Sequence, residues 1–503
     1  MDCRVELQDS ATEGPWPLPE GWAWARLGDL LSHLTSGSRD WAEYYDRGSK
    51  VFVMAQNIRP GRYNHSYTKY VDPPEYLKDV ERSRIQRDDL LITIVGANTG
   101  DVCRVDFDAK DYFVCQSVAL MRPILPELSA YLELYLVALH GGRGQMNKVI
   151  YGAGRPHLSF DQIESFDIPL PPLAEQRRIV ARIDALFAEI AEGEAALAAA
   201  RDGLDTFRRA LLKAAVTGEL TADWRAANQV SETGEGVLAS VAKRRSAEKA
   251  QKRQASASKP TTVSDLPTLP ETWAWATVGD LAVEMEYGTS EKCDFGFDGV
   301  PVLRMGNVNF GSLDYTKLKY APSDTRLPIL QDGDLVFNRT NSAELVGKCA
   351  VYRSEVSPCS LASYLIRVRF DGVPVDFVGA WINSPYGRAW ITTNKSQQVG
   401  QANLSGGTLK KMPVPVPPPH EAAEILRRVS EALSASADTL SVLDAEATDA
   451  ARLKQSILNA AFEGCLVPQD STEEPAAALL ERLATTAPAP ARAKRGRGAR
   501  SHA

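Results

Sequence analysis

The stretch Leu18-Pro19-Glu20-Gly21-Trp22-Ala23-Trp24 recurs in this chain with one residue changed, and its recurrence decides the fold. It returns as Leu269-Pro270-Glu271-Thr272-Trp273-Ala274-Trp275, which places Trp273 at an offset of 251 residues from Trp22. Each copy runs directly into Gly-Asp-Leu, at 28–30 and at 279–281. We call this opening the first anchor.

Two further anchors follow in the same order. The second is Ile168-Pro169-Leu170-Pro171-Pro172-x-x-Glu175, which returns as Val414-Pro415-Val416-Pro417-Pro418-x-x-Glu421 at an offset of 246 residues. The third is Ala214-Ala215-x-x-Gly218-x-Leu220, which returns as Ala460-Ala461-x-x-Gly464-x-Leu466. Three anchors in constant order, with little identity between them, predict two copies of one module and a pseudo-twofold internal repeat. Such a chain suits a partner with two half-sites, or two copies of a partner protein.

Between its first and second anchors, each copy has the texture of a mixed α/β (α+β) domain. Short β-rich runs such as Val51–Met54 and Leu90–Val95 end in turn residues. The second copy has similar runs at Pro301–Met305, Asp334–Phe337 and Tyr364–Arg369. The proline-rich second anchor then stops the domain, because neither a strand nor a helix readily continues through it.

A long helix is predicted after each second anchor. Apolar residues recur at heptad spacing along what we call the helix seam: Ile183, Ile190, Leu197, Leu204 and Leu211 in the first helix, and Val429, Leu443 and Ile457 in the second. Each helix covers roughly 45 residues, or about 65–70 Å at 1.5 Å per residue. A helix this long is more than one domain can cover, which favours a coiled coil between the repeats over a helix lying on its own domain.

These features predict six segments along the chain. They are a first domain at 1–172, a first helix at 173–220, a basic linker at 221–266, a second domain at 267–418, a second helix at 419–466 and a basic tail at 467–503. The linker is interpreted as a solvated helix or disordered strap, or alternatively as a phosphate-contacting segment. The tail, basic around Lys494 and Arg495, is expected to be disordered, with weak non-specific DNA contact as an option.

Composition restricts the function further. The net charge of -7 counts mildly against nucleic-acid binding, although local basic patches decide such binding. The seven cysteines are scattered, no export signal precedes them, and no apolar run reaches the length of a membrane helix, so a cytoplasmic protein is expected. A phosphate-binding loop, a Gly-x-Ser-x-Gly motif and a paired-histidine metal motif are all absent from the sequence, which predicts a non-catalytic chain.

The chain resembles the specificity subunit of type I restriction-modification enzymes. The resemblance rests on the three anchors and on the segment Asn338–Ser342 followed by Leu345–Lys348, and it covers roughly residues 18–466. It implies two target-recognition domains joined by two long antiparallel coiled-coil helices. Each domain would read one half of a bipartite, asymmetric DNA site, and the helices would set the gap. One departure is that Arg177-Arg178 corresponds to Ala423-Glu424, so the helices differ in charge.

The resemblance also implies partners. Double-stranded DNA would be bound by the domains, and two modification (methyltransferase) subunits would dock on the helices, with restriction (translocase/nuclease) subunits held through them. S-adenosylmethionine, ATP and magnesium would belong to those partners, and this chain would bind no cofactor or metal and contact no membrane.

Side chains differ in the bases that they suit: Arg and Lys suit guanine, Asn and Gln suit adenine, and Ser and Thr suit either. Loop residues of these types, with aromatic residues beside them, are predicted to contact bases. In the first domain the predicted DNA-binding residues are Ser36, Ser38, Arg39, Trp41, Tyr44, Gln56, Asn57, Asn98, Thr99, Arg155 and His157. In the second they are Thr289, Ser290, Lys292, Arg304, Asn307, Asn338, Arg339, Thr340, Asn341, Gln401 and Asn403. For any one of them, turn hydrogen bonding or a solvated surface is the alternative.

The recurring tryptophans are interpreted differently. Trp22, Trp24, Trp273 and Trp275 occupy equivalent positions in two domains of different specificity, which predicts core or helix packing and not base stacking. Two competing functions stay open: a coiled-coil protein scaffold without sequence-specific DNA binding, favoured by the acidic charge, and a nuclease or methyltransferase in its own right, disfavoured by the missing motifs.

Overall fold

The computed structural model of this chain describes residues 14–37, 41–152, 154–228, 232–249, 266–322, 325–398 and 400–486. Its contacts divide the chain into two compact units, each built from both repeats. The first unit contains the described parts of 1–197 and 445–503, and the second contains those of 198–444. Each unit therefore joins one domain to half of each long helix.

The elements of the first domain and the first long helix run in chain order. They are β1 (Ala23–Arg26), β2 (Leu31–Ser36), β3 (Tyr45–Val53), β4 (Ile58–Arg59), β5 (Arg62–Tyr63), β6 (Tyr70–Val71), α1 (Lys78–Ser83), β7 (Leu90–Thr93), β8 (Val102–Arg104), β9 (Tyr112–Val114), β10 (Val118–Pro123), α2 (Ser129–Val137), α3 (Gly142–Val149), α4 (Phe160–Glu164), β11 (Asp167–Leu170) and α5 (Leu173–Thr217).

The second half of the chain repeats this order with local additions. Its elements are α6 (Ala222–Ala227), α7 (Gly234–Lys249), β12 (Ala274–Thr277), α8 (Val278–Leu281), β13 (Ala282–Tyr287), β14 (Gly299–Leu303), β15 (Lys319–Pro322), β16 (Leu335–Asn338), β17 (Thr340–Asn341), β18 (Cys349–Val351), β19 (Ser360–Leu361), β20 (Leu365–Phe370), α9 (Val375–Asn383), α10 (Pro385–Asn394), β21 (Ser396–Gln398), β22 (Gln401–Asn403), α11 (Gly406–Leu409), β23 (Pro413–Val416), α12 (Pro419–Phe462) and α13 (Ala476–Thr486).

Both domains contain the same pair of sheets. A four-stranded sheet has the order β2-β10-β7-β8 in the first domain and β13-β20-β16-β18 in the second, antiparallel throughout. A three-stranded sheet, β6-β3-β9 or β15-β14-β19, has one parallel edge in each case. The larger sheet packs its two faces against different hydrophobic clusters, one shared with the helices and one with the smaller sheet. The predicted fold class, two mixed α/β domains joined through long helices, is confirmed.

The first and second anchors recur because they pair with each other. In the first unit Trp24 lies opposite Pro169 in the antiparallel β1–β11 ladder, and in the second unit Trp275 lies opposite Pro415 in the β12–β23 ladder. Proline is tolerated in such a ladder because a two-stranded sheet has free edges where its missing N–H is not needed. The ladder ends where the chain enters the long helix.

A buried hydrogen bond joins the same two anchors. Trp22 Nε1 donates to Glu175 Oε2 at 3.0 Å, and Trp273 Nε1 donates to Glu421 Oε2 at 2.9 Å. Both carboxyl groups are buried. The interpretation of Trp22 and Trp273 as packing residues is confirmed, because each is nearly inaccessible and committed to the start of a helix.

The third anchor ends each long helix against the first anchor of the same unit. Gly218 and Gly464 have φ values of 76° and 73°, which favour glycine. A Cβ at Gly218 would lie 2.7 Å from Pro270 Cγ, and a Cβ at Gly464 would collide with Pro19 Cγ. Each unit therefore combines the first and second anchors of one copy with the third anchor of the other.

Within each unit the segments of α5 and α12 run antiparallel. In the second unit Arg201 pairs with Asp444, whereas Arg428, nearer the start of α12, donates to Leu220 O at 2.8 Å. In the first unit Lys454 pairs with Glu194 at 2.8 Å. The helix-seam residues all lie on the less exposed face: Ile183, Leu211, Val429 and Ile457 are buried, and Ile190, Leu197, Leu204 and Leu443 are half-buried.

The linker contains a helix, which was one of its predicted forms, whereas the prediction of a disordered tail requires a correction. Helix α7, in the middle of the linker, begins with Gly234 N donating to Thr272 O at 2.8 Å, and it buries Val241. Helix α13, in the predicted disordered tail, begins with Ala476 N donating to Gly21 O at 2.8 Å. Its Leu479 and Leu483, one turn apart, are buried in the core, so these segments pack on their domains. Residues 250–265 and 487–503 lie outside the described part of the chain.

In the described ranges, no helix has both the length and the apolar character required to cross a membrane.

Candidate functional site

In the second unit, three predicted ligand-contacting segments meet at one end of the four-stranded sheet. Thr340, just beyond β16, pairs with Asn403 of the β21–β22 hairpin, and Leu404 N donates to Arg339 O at 2.8 Å. Arg339 N in turn donates to Tyr364 O at 3.0 Å. Residues 287–290, 338–341, 364, 396–398 and 401–403 therefore form one continuous region, which we call the second polar surface.

Arg339 is the principal charge of the second polar surface. Its guanidinium lies 5.0 Å from the centroid of the Tyr287 ring, and Tyr287 is itself fixed because its hydroxyl accepts a hydrogen bond from Gly406 N at 2.9 Å. Among the described residues, no carboxylate lies within ion-pair distance of Arg339, and its Nε is buried without a partner. A planar donor fork held against a ring and left without a counter-ion suits a guanine edge or a phosphate.

Beneath this surface lies an unusual buried polar pair. Asn338 and Lys348 face each other across β16 and the end of β18, since Asn338 N donates to Lys348 O at 2.9 Å. Asn338 Nδ2 donates to Met305 O at 3.2 Å, but its Oδ1 has no partner among the described residues. Burial lowers the pKa of the Lys348 ammonium. Asn338 therefore supports the surface from below, and its prediction as a direct base contact is wrong.

The first unit builds the same frame with different side chains. Ile94 N donates to Ser117 O and Leu158 N donates to Ile94 O, each at 2.9 Å, as Arg339 and Leu404 do in the second unit. His157 bridges both Val95 and Tyr151, as Asn403 pairs with both Thr340 and Ser396. The residues that stand where Arg339, Tyr364, Asn403 and Ser396 stand are therefore Ile94, Ser117, His157 and Tyr151.

The resulting first polar surface, residues 94–99, 117, 151–152 and 154–157, has the apolar Ile94 at the position that Arg339 occupies in the second, and its cation is instead the exposed Arg155. The half-exposed Tyr151 ring lies edge-on to His157 with 5.4 Å between centroids. Thr99 Oγ1 ties the two loops together by donating toward Gly96 O at 2.7 Å and Pro156 O at 3.0 Å. Thr99 is buried in this role, so the prediction that it contacts a base is wrong.

Two other predicted base contacts are structural in the same way. Asn57 accepts from Met54 N at 2.9 Å and donates to Asn64 O at 3.0 Å. Asn307 accepts from Arg304 N at 2.9 Å and donates to Asp314 O at 2.8 Å. Both amides are buried inside equivalent loops, so the prediction of direct contact is wrong for Asn57 and Asn307.

We expect Asn307→Ala to cost about 1–3 kcal/mol of unfolding free energy, because it leaves buried backbone groups without partners. Urea denaturation of the full-length chain measures this loss, with substitution of the exposed neighbour Asn309 as the matched control. The discrimination between ligands by the folded protein should not change. If Asn307→Ala instead lost ligand discrimination while keeping normal stability, Asn307 would be a ligand contact and not a structural residue.

The remaining predicted residues divide by exposure. Trp41 is buried between Phe52 and Phe113, at centroid distances of 5.7 and 5.8 Å, and Thr340 is buried in its strand pairing, so both predictions of direct contact are wrong. Those left exposed or half-exposed are Ser36, Tyr44, Gln56, Asn98, Arg155, His157, Thr289, Ser290, Lys292, Arg304, Arg339, Asn341, Gln401 and Asn403. Ser38 and Arg39 lie outside the described residues.

Sequence reasoning missed two aromatic residues of these surfaces. Tyr151 is 54% exposed and Tyr364 is 43% exposed, although large aromatic side chains are usually mostly buried. The available signal was weak, since Tyr364 opens the β-rich run Tyr364–Arg369 and Tyr151 follows Val149 and Ile150, so the sequence favours the core for both.

Comparison with known proteins agrees with this architecture. Residues 19–198 match the family model described as type I restriction modification DNA specificity domain. The type I restriction enzyme EcoKI specificity subunit of Escherichia coli (strain K12) is 28% identical over 491 residues, covering 93% of this chain and 95% of that protein. The StySPI specificity subunit of Salmonella potsdam is 26% identical over 486 residues, covering 93% and 95%.

A solved structure from work on complex assembly and conformational transition of the type I R-M system shares the fold. It has a TM-score of 0.62 at 19% identity and covers 90% of this chain and 100% of that chain. The resemblance predicted from the three anchors is therefore confirmed.

Proposed function

We infer that this chain, a relative of type I specificity subunits, is the sequence-specific DNA-recognition subunit of a type I restriction-modification complex. Its first and second polar surfaces would each read one half of a bipartite, asymmetric site. The observation that carries this proposal is the equivalence of the two frames: the same backbone hydrogen bonds hold Ile94 and Arg339, His157 and Asn403, and Ser117 and Tyr364. A protein that reads two different DNA sequences with one fold needs the same backbone frame in both domains and different side chains on it.

The chemistry of each surface favours a different half-site. Arg339 suits guanine, and Asn341, Gln401 and Asn403 suit adenine in the second half. The first surface offers Asn98 and His157 with the exposed Arg155 and the Tyr151 ring, and has no cation at the position of Arg339. The two halves of the target should therefore differ in sequence, giving an asymmetric site.

Assembly with modification and restriction subunits would use the long helices. In the second unit Phe207, Leu440 and Val442 are exposed, and in the first unit Leu453 is exposed beside a groove of about 660 Å³ lined by Ile190 and Leu197. Exposed apolar side chains along a helix are a common mark of a protein interface. S-adenosylmethionine, ATP and magnesium would be bound by those partners in the cytoplasm, and this chain would carry no catalytic group.

The experiment that tests the proposal is adenine-methylation mapping of a genome that carries this chain and its neighbouring methyltransferase partner, compared with deletion of this chain alone. We expect one bipartite, gapped motif to lose methylation on deletion. An unchanged methylome beside an active partner would contradict the proposal.

A protein scaffold without sequence-specific DNA binding is the alternative, and the net charge of -7 favours it. It predicts that the purified chain binds its protein partners but shows no salt-dependent preference for any duplex.

A further inference from the structure

A second internal repeat lies inside the two domains, at an offset of 250 residues. Asn57 and Asn307 brace equivalent loops, and the next turn is repeated as well: Asn64 Oδ1 accepts from Ser66 N at 3.1 Å, and Asp314 Oδ1 accepts from Thr316 N at 2.8 Å. This block is retained although the polar surfaces beside it differ. A block that is the same in both domains should therefore have the same role at both half-sites.

Each block ends in a lysine held over an aromatic ring. Lys69 Nζ lies 4.1 Å from the centroid of the Tyr45 ring, and Lys319 Nζ lies 5.0 Å from the centroid of the Phe295 ring. The strand register makes the lysines equivalent: Phe52 N donates to Lys69 O, and Val302 pairs with Lys319. Lysine and ring are thus both repeated, with the ring changed from Tyr to Phe.

Neither ammonium is neutralised. No carboxylate within the described residues lies within 4 Å of Lys69 or Lys319, whereas Lys50 in the same sheet pairs with Glu75 at 2.7 Å. Both lysines are partly exposed, and Phe295 is 62% exposed. An exposed cation–π contact is weak, but it restricts the lysine stem while leaving the charge available.

A short stretch of chain links the surroundings of Lys319 to the second polar surface. In the second unit Thr289 N donates to Leu361 O at 2.8 Å at the polar surface, and Asp294 N donates to Tyr320 O at 3.0 Å beside Lys319. Asp294 lies five positions after Thr289, a span of at most about 17 Å. The positive charges of Lys319 and Arg304 also lie near enough to oppose the rise that burial causes in the pKa of the Cys293 thiol.

We propose that Lys69 and Lys319 are matched phosphate anchors, one for each half-site, which bind the DNA backbone independently of sequence. The proposal rests on the function proposed above. Residues that read bases should differ between domains of different specificity, as they do at the position that Ile94 occupies in one domain and Arg339 in the other. Residues that contact phosphate can be the same in both, because every DNA sequence has the same backbone. The aromatic ring would hold each ammonium in position before binding.

The test measures binding of the full-length chain, with its methyltransferase partner, across a salt series. The probes are a duplex carrying the mapped motif and a random duplex of equal length. We expect Lys319→Gln and Lys69→Gln each to reduce the slope of log K against log salt by about 1, and the double variant by about 2, on both duplexes alike. Lys319→Arg should retain the slope.

Lys411→Gln, which removes an exposed charge beside β23, is the matched control and should leave the slope unchanged. If the wild-type complex binds the motif but the slopes of the Lys69 and Lys319 variants are unchanged, the two lysines do not bind phosphate, and the proposed recognition function is unaffected. A loss confined to the motif duplex would make the lysines base readers and equally overturn the proposal. Failure of the wild type to prefer the motif would instead remove the function on which the proposal rests.

Discussion

Replacing Arg339 with alanine is expected to reduce affinity for the motif duplex by roughly 5- to 150-fold, corresponding to about 1–3 kcal/mol for one bidentate base contact. Affinity for random DNA should change little by comparison. The physical reason is the position of the guanidinium, which is fixed over Tyr287 and lacks a counter-ion in the described residues. It supplies a directed donor pair to one base pair.

The measurement is a competition titration of wild type and variant with motif, single-mismatch and random duplexes. Arg339→Lys tests geometry, because lysine keeps the charge but loses the planar fork, so it should recover little discrimination. Arg326→Ala, a change at another exposed arginine of the same domain, is the control. Equal losses on motif and random DNA would exclude Arg339 as a base reader. The same expectation holds for Arg39→Ala in the first domain.

The fold was predictable because the anchors are constrained by one another. Trp22 and Glu175 hydrogen-bond directly, Trp24 lies opposite Pro169, and Gly464 is pressed against Pro19. Residues that contact each other in this way are restricted in sequence, so they stay alike in the two copies of the module and can be recognised as a repeat. The heptad seam was visible for the related reason that one helix face must stay apolar.

The candidate site was less predictable, because a side chain's type does not tell whether it points outward. The residue type of Asn57 and Asn307 predicts contact with adenine, yet both side chains form their hydrogen bonds with backbone groups of their own loops. Asparagine commonly satisfies local backbone groups in this way. Tyr151 and Tyr364 were missed for the opposite reason, since an aromatic residue is normally assigned to the core.

The basic tail shows a third limit. Its charge near Lys494 suggested disorder from 467 onward, but Leu479 and Leu483 lie on one face of α13 and are buried. Overall composition concealed a short amphipathic helix.

Replacing Glu421 with glutamine is expected to destabilise the second unit by about 2–3 kcal/mol, whereas Glu175→Gln should not destabilise the first unit at neutral pH. Glu421 accepts from Trp273, from Thr221 Oγ1 at 2.8 Å, and from Arg225. Removal of its charge leaves the mostly buried Arg225 guanidinium unpaired, which is costly.

Glu175 has no such partners. At an offset of 246 residues, the positions of Thr221 and Arg225 are occupied by Val467 and Ser471, and Glu175 Oε1 is buried with no hydrogen-bond partner in the described residues. Burial raises the pKa of the Glu175 carboxyl to about 7. The glutamate that both copies of the second anchor contain therefore pairs with a cation in one unit and lacks such a partner in the other.

The pH dependence follows from the direction of that shift. Because the pKa of the Glu175 carboxyl is higher in the folded state than in the unfolded chain, the folded state binds an extra proton between about pH 4.3 and about pH 7. Its stabilising contribution is complete below about pH 4.3 and is lost as pH rises through about 7. Relative to wild type, Glu175→Gln should gain stability between pH 5 and pH 8, by about 1–3 kcal/mol.

Thermal melts of the full-length chain at a series of pH values measure both effects. Arg225→Met combined with Glu421→Gln completes a double-mutant cycle, and it should cost less than the sum of the two single changes because the pair is lost together. Additive losses would show that Glu421 and Arg225 are not coupled. A pH-independent difference between wild type and Glu175→Gln would show that the Glu175 carboxyl keeps its ordinary pKa, so the two units would not differ in how they hold the glutamate at the start of their helices.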